Sequence, residues 1–306
     1  MRKFLAKRQF YNSKMFRLGF PIATVIIVLG YGAASVYGAN VFTTSPKRTL
    51  GLYNPADYGL TYENVEFESK AKDELTLRGW WIPQKKASRV LILVHVKNGD
   101  RTFPLELSKP LWDKGYSLLL FDMRGHGQSD GTHYSYGQYE QLDIVGAVNF
   151  IKAKGFKPAS IGIAGWSMGA ASAIMAMSQT ADIQAGVSDS SYGDLGRVAG
   201  QRLGLLKVFY PGMVLSSQLL MNTDIEQIKP ELAIKKLGQR HLILIHGDQD
   251  STVPVSEIYH LKQAGGNNVV DTWVLPGVEH AGAYHSQKAE YLSRITTFFN
   301  KELVNS

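Results

Sequence analysis

Hydrophobic and polar positions divide this chain into two unlike parts. From Leu18 to Phe42 there are 25 consecutive residues without a charged side chain, with Ile22-Ala23-Thr24-Val25-Ile26-Ile27-Val28-Leu29 near the start. At about 1.5 Å per residue, roughly 20 of them cross a hydrocarbon layer of ~30 Å, so the run predicts a transmembrane helix over 18–42. Pro21 is expected near its start, where a missing N–H costs least. Residues 43–60, with Ser45-Pro46 and Asn54-Pro55, read as a linker. Beyond it, short apolar runs alternate with stretches of helical spacing. Val65–Glu68 and Glu74–Pro83 predict a leading antiparallel pair. Strands are then expected at Arg89–Val96, Tyr116–Met123, Ser160–Ala164, Ala185–Ser188, His241–His246 and Asp271–Leu275. Helices are expected near Phe103–Lys114, Gln138–Lys154, Met168–Ser178, Ser256–Ala264 and Gln287–Glu302. Nearly continuous apolar strands separated by helices imply one α/β domain over 61–306, its mostly parallel sheet covered on both faces.

Charge sharpens this division. The chain has 33 basic and 26 acidic residues, a net charge of +7. Eight of the basic residues (Arg2, Lys3, Lys7, Arg8, Lys14, Arg17, Lys47, Arg48) fall within 1–48, which holds no Asp or Glu; the remainder has 25 basic against 26 acidic. The basicity belongs to the tail, and nothing motivates a nucleic-acid footprint on the body. Six cations before the apolar run and two after it predict a cytoplasmic basic tail over 1–17 and a body on the far side of the membrane. A cleaved signal peptide is the competing reading, with small residues near Val36-Tyr37-Gly38, but the run exceeds the usual signal core of about 7–15 residues. Gly30, Ala34 and Gly38 form a small-residue stripe suited to packing against another helix. The chain has no Cys, which removes disulfides, thiolate zinc sites and a Cys nucleophile together. No His-Glu-x-x-His or comparable ligand spacing is present, so neither a metal nor another cofactor is expected.

Two Gly-x-Ser-x-Gly strings occur, at 127–131 and at 165–169. A nucleophile elbow needs a buried strand running straight in and a helix running straight out, because the tight turn presents the hydroxyl at the strand's carboxyl end. Ser167 has both: Ser160-Ile161-Gly162-Ile163-Ala164 precedes it, and the Ala-rich run 170–177 follows. Ser129 follows Arg124-Gly125-His126 and opens no helix, so it is assigned to a structural loop. A serine hydroxyl needs a base, and the base an orienting acid. Leu242–His246 reads as a strand followed by an acidic loop with two carboxylates, Asp248 and Asp250. Trp273-Val274-Leu275 reads as a final strand whose loop contains His280; His285, five residues on, is its nearest rival. The amide of Met168, next after the nucleophile, is the expected first oxyanion donor.

With these residues in place, the span from about Asn64 to Leu303 resembles the α/β-hydrolase superfamily, and within it the membrane-anchored bacterial group with serine-aminopeptidase-like domains. The resemblance rests on the 165–169 elbow, His246-Gly247-x-x-Asp250-x-x-Val253-Pro254, Gly277-x-x-His280, and Asp122-Met123-Arg124-Gly125-His126-Gly127-Gln128-Ser129. It implies Asp250, three residues before Val-Pro, as the triad acid, leaving Asp248 as a loop cap. It also implies a second oxyanion donor after an early strand. Related hydrolases write this segment His-Gly-x; here it is His95-Val96-Lys97, which points to the backbone N–H of Lys97, with Val in place of the usual Gly. Some 50 residues separate the strands at 185–188 and 241, more than a crossover helix requires. Helical spacing at Gly193–Phe209 and Met213–Met221 predicts a small cap, about 190–238, over the serine. The expected activity is hydrolysis of a carboxylic ester on a small acyl substrate through a Ser167-His280-Asp250 triad. An aminopeptidase-type hydrolase and a noncatalytic hydrolase-shaped scaffold are the alternatives, and oligomeric state is left open.

Overall fold

A computed structural model describes residues 2–45 and 50–304, with side chains from Phe20 onward. Pro46, Lys47 and Arg48, and the side chains of the basic tail, lie outside the described residues. Eight strands form one sheet: β1 (Glu63–Glu68), β2 (Thr76–Ile82), β3 (Arg89–Val94), β4 (Tyr116–Phe121), β5 (Ile161–Trp166), β6 (Ala185–Asp189), β7 (His241–Gly247) and β8 (Val269–Leu275). Their order is β1-β2-β4-β3-β5-β6-β7-β8. The pairs β1–β2 and β2–β4 are antiparallel; all others are parallel. This is the mostly parallel sheet expected from the apolar runs.

The central strands carry apolar residues on both faces because both faces are covered. Along β3, Ile92 joins one core layer while Leu91 and Leu93 join the other; on β4, Leu119 opposes Leu118 and Leu120 in the same way. Helices α1 (Arg2–Thr43), α2 (Leu105–Asp113), α3 (Glu140–Ala153) and α4 (Met168–Gln179) come first in the chain. Next come α5 (Leu195–Arg202), α6 (Tyr210–Met221), α7 (Pro230–Ala233), α8 (Ser256–Gly265), α9 (Ala283–Ser286) and α10 (Lys288–Glu302). The first core layer collects buried residues of α3 and α4; the second collects those of α2 and α10. In α4 every residue from Met168 to Met177 is buried, which the small side chains Gly169, Ala170, Ala171, Ser172 and Ala173 permit.

Two local expectations are corrected. Pro21 does not sit near a helix start: α1 runs through it, from Arg2 to Thr43. Proline's fixed φ is itself helical, so the helix continues through it with the loss of one backbone hydrogen bond. The cap segment expected as one helix over Gly193–Phe209 is two pieces, α5 and a 3₁₀ stretch over Gly204–Phe209, broken where Gly204 adopts φ 51°.

Helix α1 packs against α6 and the 3₁₀ stretch before it, the segment expected as the cap. Tyr31 stacks on Phe209 at 5.4 Å between ring centroids, and its hydroxyl donates to the Val208 carbonyl at 3.1 Å. A Cβ at Gly212 would lie 2.2 Å from Ser35 Oγ, so glycine sets how closely α6 approaches α1. Gly38 faces Met213 of α6, whereas Gly30 has nothing within 4 Å of its ideal Cβ and Ala34 is exposed. The small-residue stripe therefore meets its own cap at one end only. Past α1, Thr44 bridges His133, and the Thr43 carbonyl accepts from Tyr134 N at 2.9 Å. The outer face of the cap leaves Leu205, Leu206, Val208, Leu215, Leu219 and Leu220 exposed, Leu205 at 98%.

Candidate active site

The parallel strands end along one edge, and there the sequence-selected residues meet. Strand β5 delivers Ser167 and α4 leaves from it; Ser167 is held at φ 55°, ψ −118°. That backbone costs on the order of 1–3 kcal/mol for a residue with a Cβ, and the surroundings enforce it. Ser167 N donates to the Asp189 carbonyl at 2.8 Å, and the Ser167 carbonyl accepts from Ala171 N. The two flanking glycines are required by close approach. A Cβ at Gly165 would lie 2.4 Å from the Gly169 carbonyl oxygen, and one at Gly169 would lie 2.4 Å from the carbonyl oxygens of Val94 and His95. The second approach brings the loop after β3 beside the start of α4.

His280, in the loop after β8, and Asp250, in the loop after β7, complete a hydrogen-bonded chain. Ser167 Oγ lies 2.8 Å from His280 Nε2, and His280 Nδ1 lies 2.6 Å from Asp250 Oδ2. With the proton on Nδ1, the imidazole donates to Asp250 and accepts from the serine. Asp250 is fixed from several sides: its Oδ1 accepts from the amides of Thr252 and Val253, and its Oδ2 is 3.2 Å from His246 Nε2. Burial alone would raise the carboxyl's pKa, but hydrogen bonds from His246 and His280 outweigh it and hold Asp250 well below the usual carboxylate range. His246 itself is buried, and its Nε2 also donates to the Val253 carbonyl at 3.0 Å. Asp248 accepts from Gly277 N at 2.6 Å, which tethers the His280 loop to the Asp250 loop. His285 lies 3.4 Å from Glu106 instead.

These two loops cross at Gly247. A Cβ there would lie 2.0 Å from the Val278 carbonyl oxygen. Gly247→Ala is expected to push the His280 loop outward, lowering stability by about 2 kcal/mol and slowing reaction of Ser167 with a fluorophosphonate. Thermal denaturation and labelling rates would check this; unchanged labelling would separate the crossing from the site.

The loop after β3 contributes the other wall. His95 Nδ1 donates to the Val96 carbonyl at 2.7 Å, and its Nε2 accepts from Met123 N. Asn98 N donates to His126 Nε2 at 3.2 Å, while His126 Nδ1 donates to the Arg124 carbonyl. Burial pulls His95 down to about 4 and His126 to about 3, so both are neutral struts. The left-handed angle in this loop falls on Asn98, φ 59°, and not on Val96, so valine meets no left-handed backbone penalty there. Val96, Lys97 and Met168 line one cavity with Ser167 and His280.

The second Gly-x-Ser-x-Gly string is indeed a loop. Ser129 Oγ donates to the Asp122 carbonyl at 2.6 Å, accepts from Arg78 N, and is wholly buried. Of the tyrosines near 134–139, Tyr136 lines the cavity, Tyr134 is buried behind it, and Tyr139 bonds Asn222. Trp166 packs on Phe103 in the core, leaving Met168 to face the site.

Three features were not anticipated. Phe42, at the end of α1, lines the cavity, stacks on Tyr136 at 4.4 Å, and accepts the Tyr136 hydroxyl on its carbonyl at 2.9 Å. No sequence period links residue 42 to 136. Ser190, at φ 57°, accepts from Ala281 N at 3.0 Å and so braces the His280 loop. Asp189, which ends β6 on the same edge as Ser167, is buried. Burial raises its pKa to about 6, against the hydroxyls of Ser190 and Tyr291, which donate to it at 2.9 and 3.1 Å. Its position at a strand's carboxyl end was the available signal.

The unfolded value for aspartate is about 3.9, so the folded chain binds an extra proton between roughly pH 4 and 6. This group's contribution to stability therefore falls as pH rises through that window. Asp189→Asn is expected to be more stable than the native protein at pH 8, by up to about 3 kcal/mol, and to gain much less at pH 4.5, as read by thermal denaturation. Equal shifts at both pH values would sink the assignment.

Comparison with known proteins places these features in a family. The model of the prolyl oligopeptidase family matches residues 105–306. The YfhR protein of Escherichia coli O157:H7 is 25% identical over 259 residues, 81% of this chain and 83% of that protein. YqkD of Bacillus subtilis is 25% identical over 235 residues, 73% and 75% of the two chains. Among solved structures, the Pyrococcus furiosus esterase Pf2001 superposes with a TM-score of 0.70 at 26% identity, covering 84% of this chain and 99% of that one. The Pyrococcus horikoshii acylaminoacyl peptidase gives 0.59 at 19%, covering 83% and 44%, a likeness of fold alone.

Proposed function

Because the chain belongs to the prolyl oligopeptidase family of α/β hydrolases, we propose that it is a serine hydrolase in which Ser167, His280 and Asp250 are nucleophile, base and orienting acid. The observation that carries this reading is the continuous chain from Ser167 Oγ through the imidazole to Asp250, at 2.8 and 2.6 Å. His280 takes the serine proton as Oγ attacks an acyl carbon. The tetrahedral oxyanion is met by the amides of Met168 and Lys97; losing one such donor typically costs about 3 kcal/mol. Collapse expels the alcohol, which takes the proton from His280, and water admitted along the same path releases the acid.

A carboxylic ester is the bond we propose it cleaves. The cavity holds about 640 Å³, and its lining is largely apolar, with Leu195, Val198, Leu203, Met213 and Ile225 contributed by the cap region. A peptidase acting on a free N-terminus needs an acidic partner for the substrate ammonium, and none of the residues lining this cavity is Asp or Glu. The ester reading is tested by p-nitrophenyl esters of rising chain length against aminoacyl p-nitroanilides. Faster turnover of the anilides would replace it. A folded native protein that takes up no fluorophosphonate would favour the noncatalytic scaffold.

For location, we propose an uncleaved membrane anchor with the body extracytoplasmic. Phe20–Thr43 forms an apolar helix of 24 residues, a length that also fits a signal sequence. A cut near Gly38 would strip Tyr31 and Ser35 from the cap, which favours retention. Protease access to the body in sealed cells and inverted vesicles tests the orientation, and the mass of the mature chain tests cleavage.

A further inference from the structure

The proposed site carries a charge pattern that ester cleavage by itself does not require. Two side chains lining the cavity, Lys97 and Arg202, are permanent cations in water, and no lining residue is acidic. Lys97 Nζ donates to the Tyr136 hydroxyl at 2.8 Å and lies 5.2–5.8 Å from the ring centroids of Tyr136, Phe42 and Tyr134. Among the described residues, no carboxylate pairs with Lys97 or with Arg202, whose guanidinium donates to the Thr252 carbonyl at 3.3 Å. The nearby acids are committed elsewhere. Glu231 and Glu257 hold Arg197, Asp194 pairs with Lys229, and Glu226 accepts from the Tyr210 hydroxyl.

Burial lowers the pKa of Lys97, and the field of Arg202 adds to the effect. Aromatic faces offset part of the cost of taking an ammonium out of water, but they supply no counter-charge. A ligand bearing negative charge would supply what the protein withholds.

We propose that Lys97 and Arg202 form an anion subsite, so that the substrate is an ester carrying a carboxylate or phosphate elsewhere in the same molecule. This rests on the serine-hydrolase reading of the site. The test compares kcat/KM within two matched pairs: p-nitrophenyl hemiglutarate against p-nitrophenyl valerate, and 1-butyrylglycerol 3-phosphate against 1-butyrylglycerol. The native protein is expected to prefer the anionic member by about tenfold at low salt, less at about 1 M salt, and the pair that shows it identifies the group.

Lys97→Met keeps the backbone amide and is expected to lower that ratio about tenfold; Arg202→Glu is expected to lower it further or invert it. No preference for the anion in either pair overturns the proposal. So does a Lys97→Met protein in which both members slow equally, since Lys97 then only supports Tyr136 and Phe42. Binding is also read without turnover: glutarate or inorganic phosphate is expected to raise the Tm of Ser167→Ala protein, and not that of the Ser167→Ala, Arg202→Glu double variant. Failure of the parent reading has a different signature, with no hydrolysis of any ester and no fluorophosphonate uptake; stabilisation by anions would then still support the subsite, and its absence would overturn it.

Discussion

Ser167→Ala is expected to lower kcat on a p-nitrophenyl ester by about 10⁵- to 10⁶-fold, and adding His280→Ala to it is expected to cost almost nothing more. The physical reason is that the two side chains act as one unit. Without the imidazole at 2.8 Å the hydroxyl has no proton acceptor, and without the hydroxyl the imidazole has nothing to activate. Stability should barely change: Ser167 is positioned by its backbone, through the Asp189 carbonyl and Ala171 amide, and Ala→Ser differences at φ 55° are small beside that constraint. Fluorophosphonate labelling, steady-state kinetics and thermal denaturation on the same preparations would check it. Ser129→Ala is the control, because it removes the bonds to Asp122 and Arg78 and should cost about 1 kcal/mol of stability while labelling persists. Labelling that survives in Ser167→Ala but vanishes in Ser129→Ala would reverse the roles of the two Gly-x-Ser-x-Gly strings.

The second large effect concerns α1. Deleting residues 1–43 is expected to lower kcat/KM on the order of 10²-fold and to leave a protein that aggregates without detergent. The deletion removes Phe42 from the cavity wall, the Phe42 carbonyl from the Tyr136 hydroxyl, and the Tyr31 and Ser35 contacts from α6. Displacing a substrate-facing wall by about 1 Å is enough for a loss of that size. The α6 face so uncovered would join an already exposed apolar surface at Leu215, Leu219 and Leu220. Aggregation alone would not distinguish lost tethering from lost packing, so Phe42→Ala in the full chain provides the sharper measurement. It keeps the helix, removes the 4.4 Å stack on Tyr136, and should cost about 1–2 kcal/mol of stability together with a raised KM. If the truncated protein in detergent matches the full chain in kcat/KM, α1 is an anchor and nothing more.

The strands were legible because burial on both faces writes itself as unbroken apolar runs such as Val90–Val94 and Leu242–Ile245. The placement of Ser167 was legible for a related reason: only glycine at 165 and 169 lets β5, α4 and the end of β3 approach so closely. Asp250 and His280 were nameable from local strings, yet they are 30 residues apart and 113 or fewer from the serine, so their meeting depends on strand order. Val96 looked like a departure from pattern because a string records the residue and not the angle; the left-handed turn falls at Asn98.

What the sequence by itself determined was therefore the set of buried strands, the sharp turn at residue 167 and the apolar helix at the N-terminus, all properties of neighbours along the chain. Tertiary structure alone decided that β5, β7 and β8 end on one edge, that the Asp250 carboxylate is shared by two imidazoles, and that Phe42 and Lys97 face the same cavity as Ser167. Local periodicity encodes which side of an element is buried, but not which distant element buries it. That choice is made by the packing of whole layers, and it is there that the pocket's wall and its charge arose.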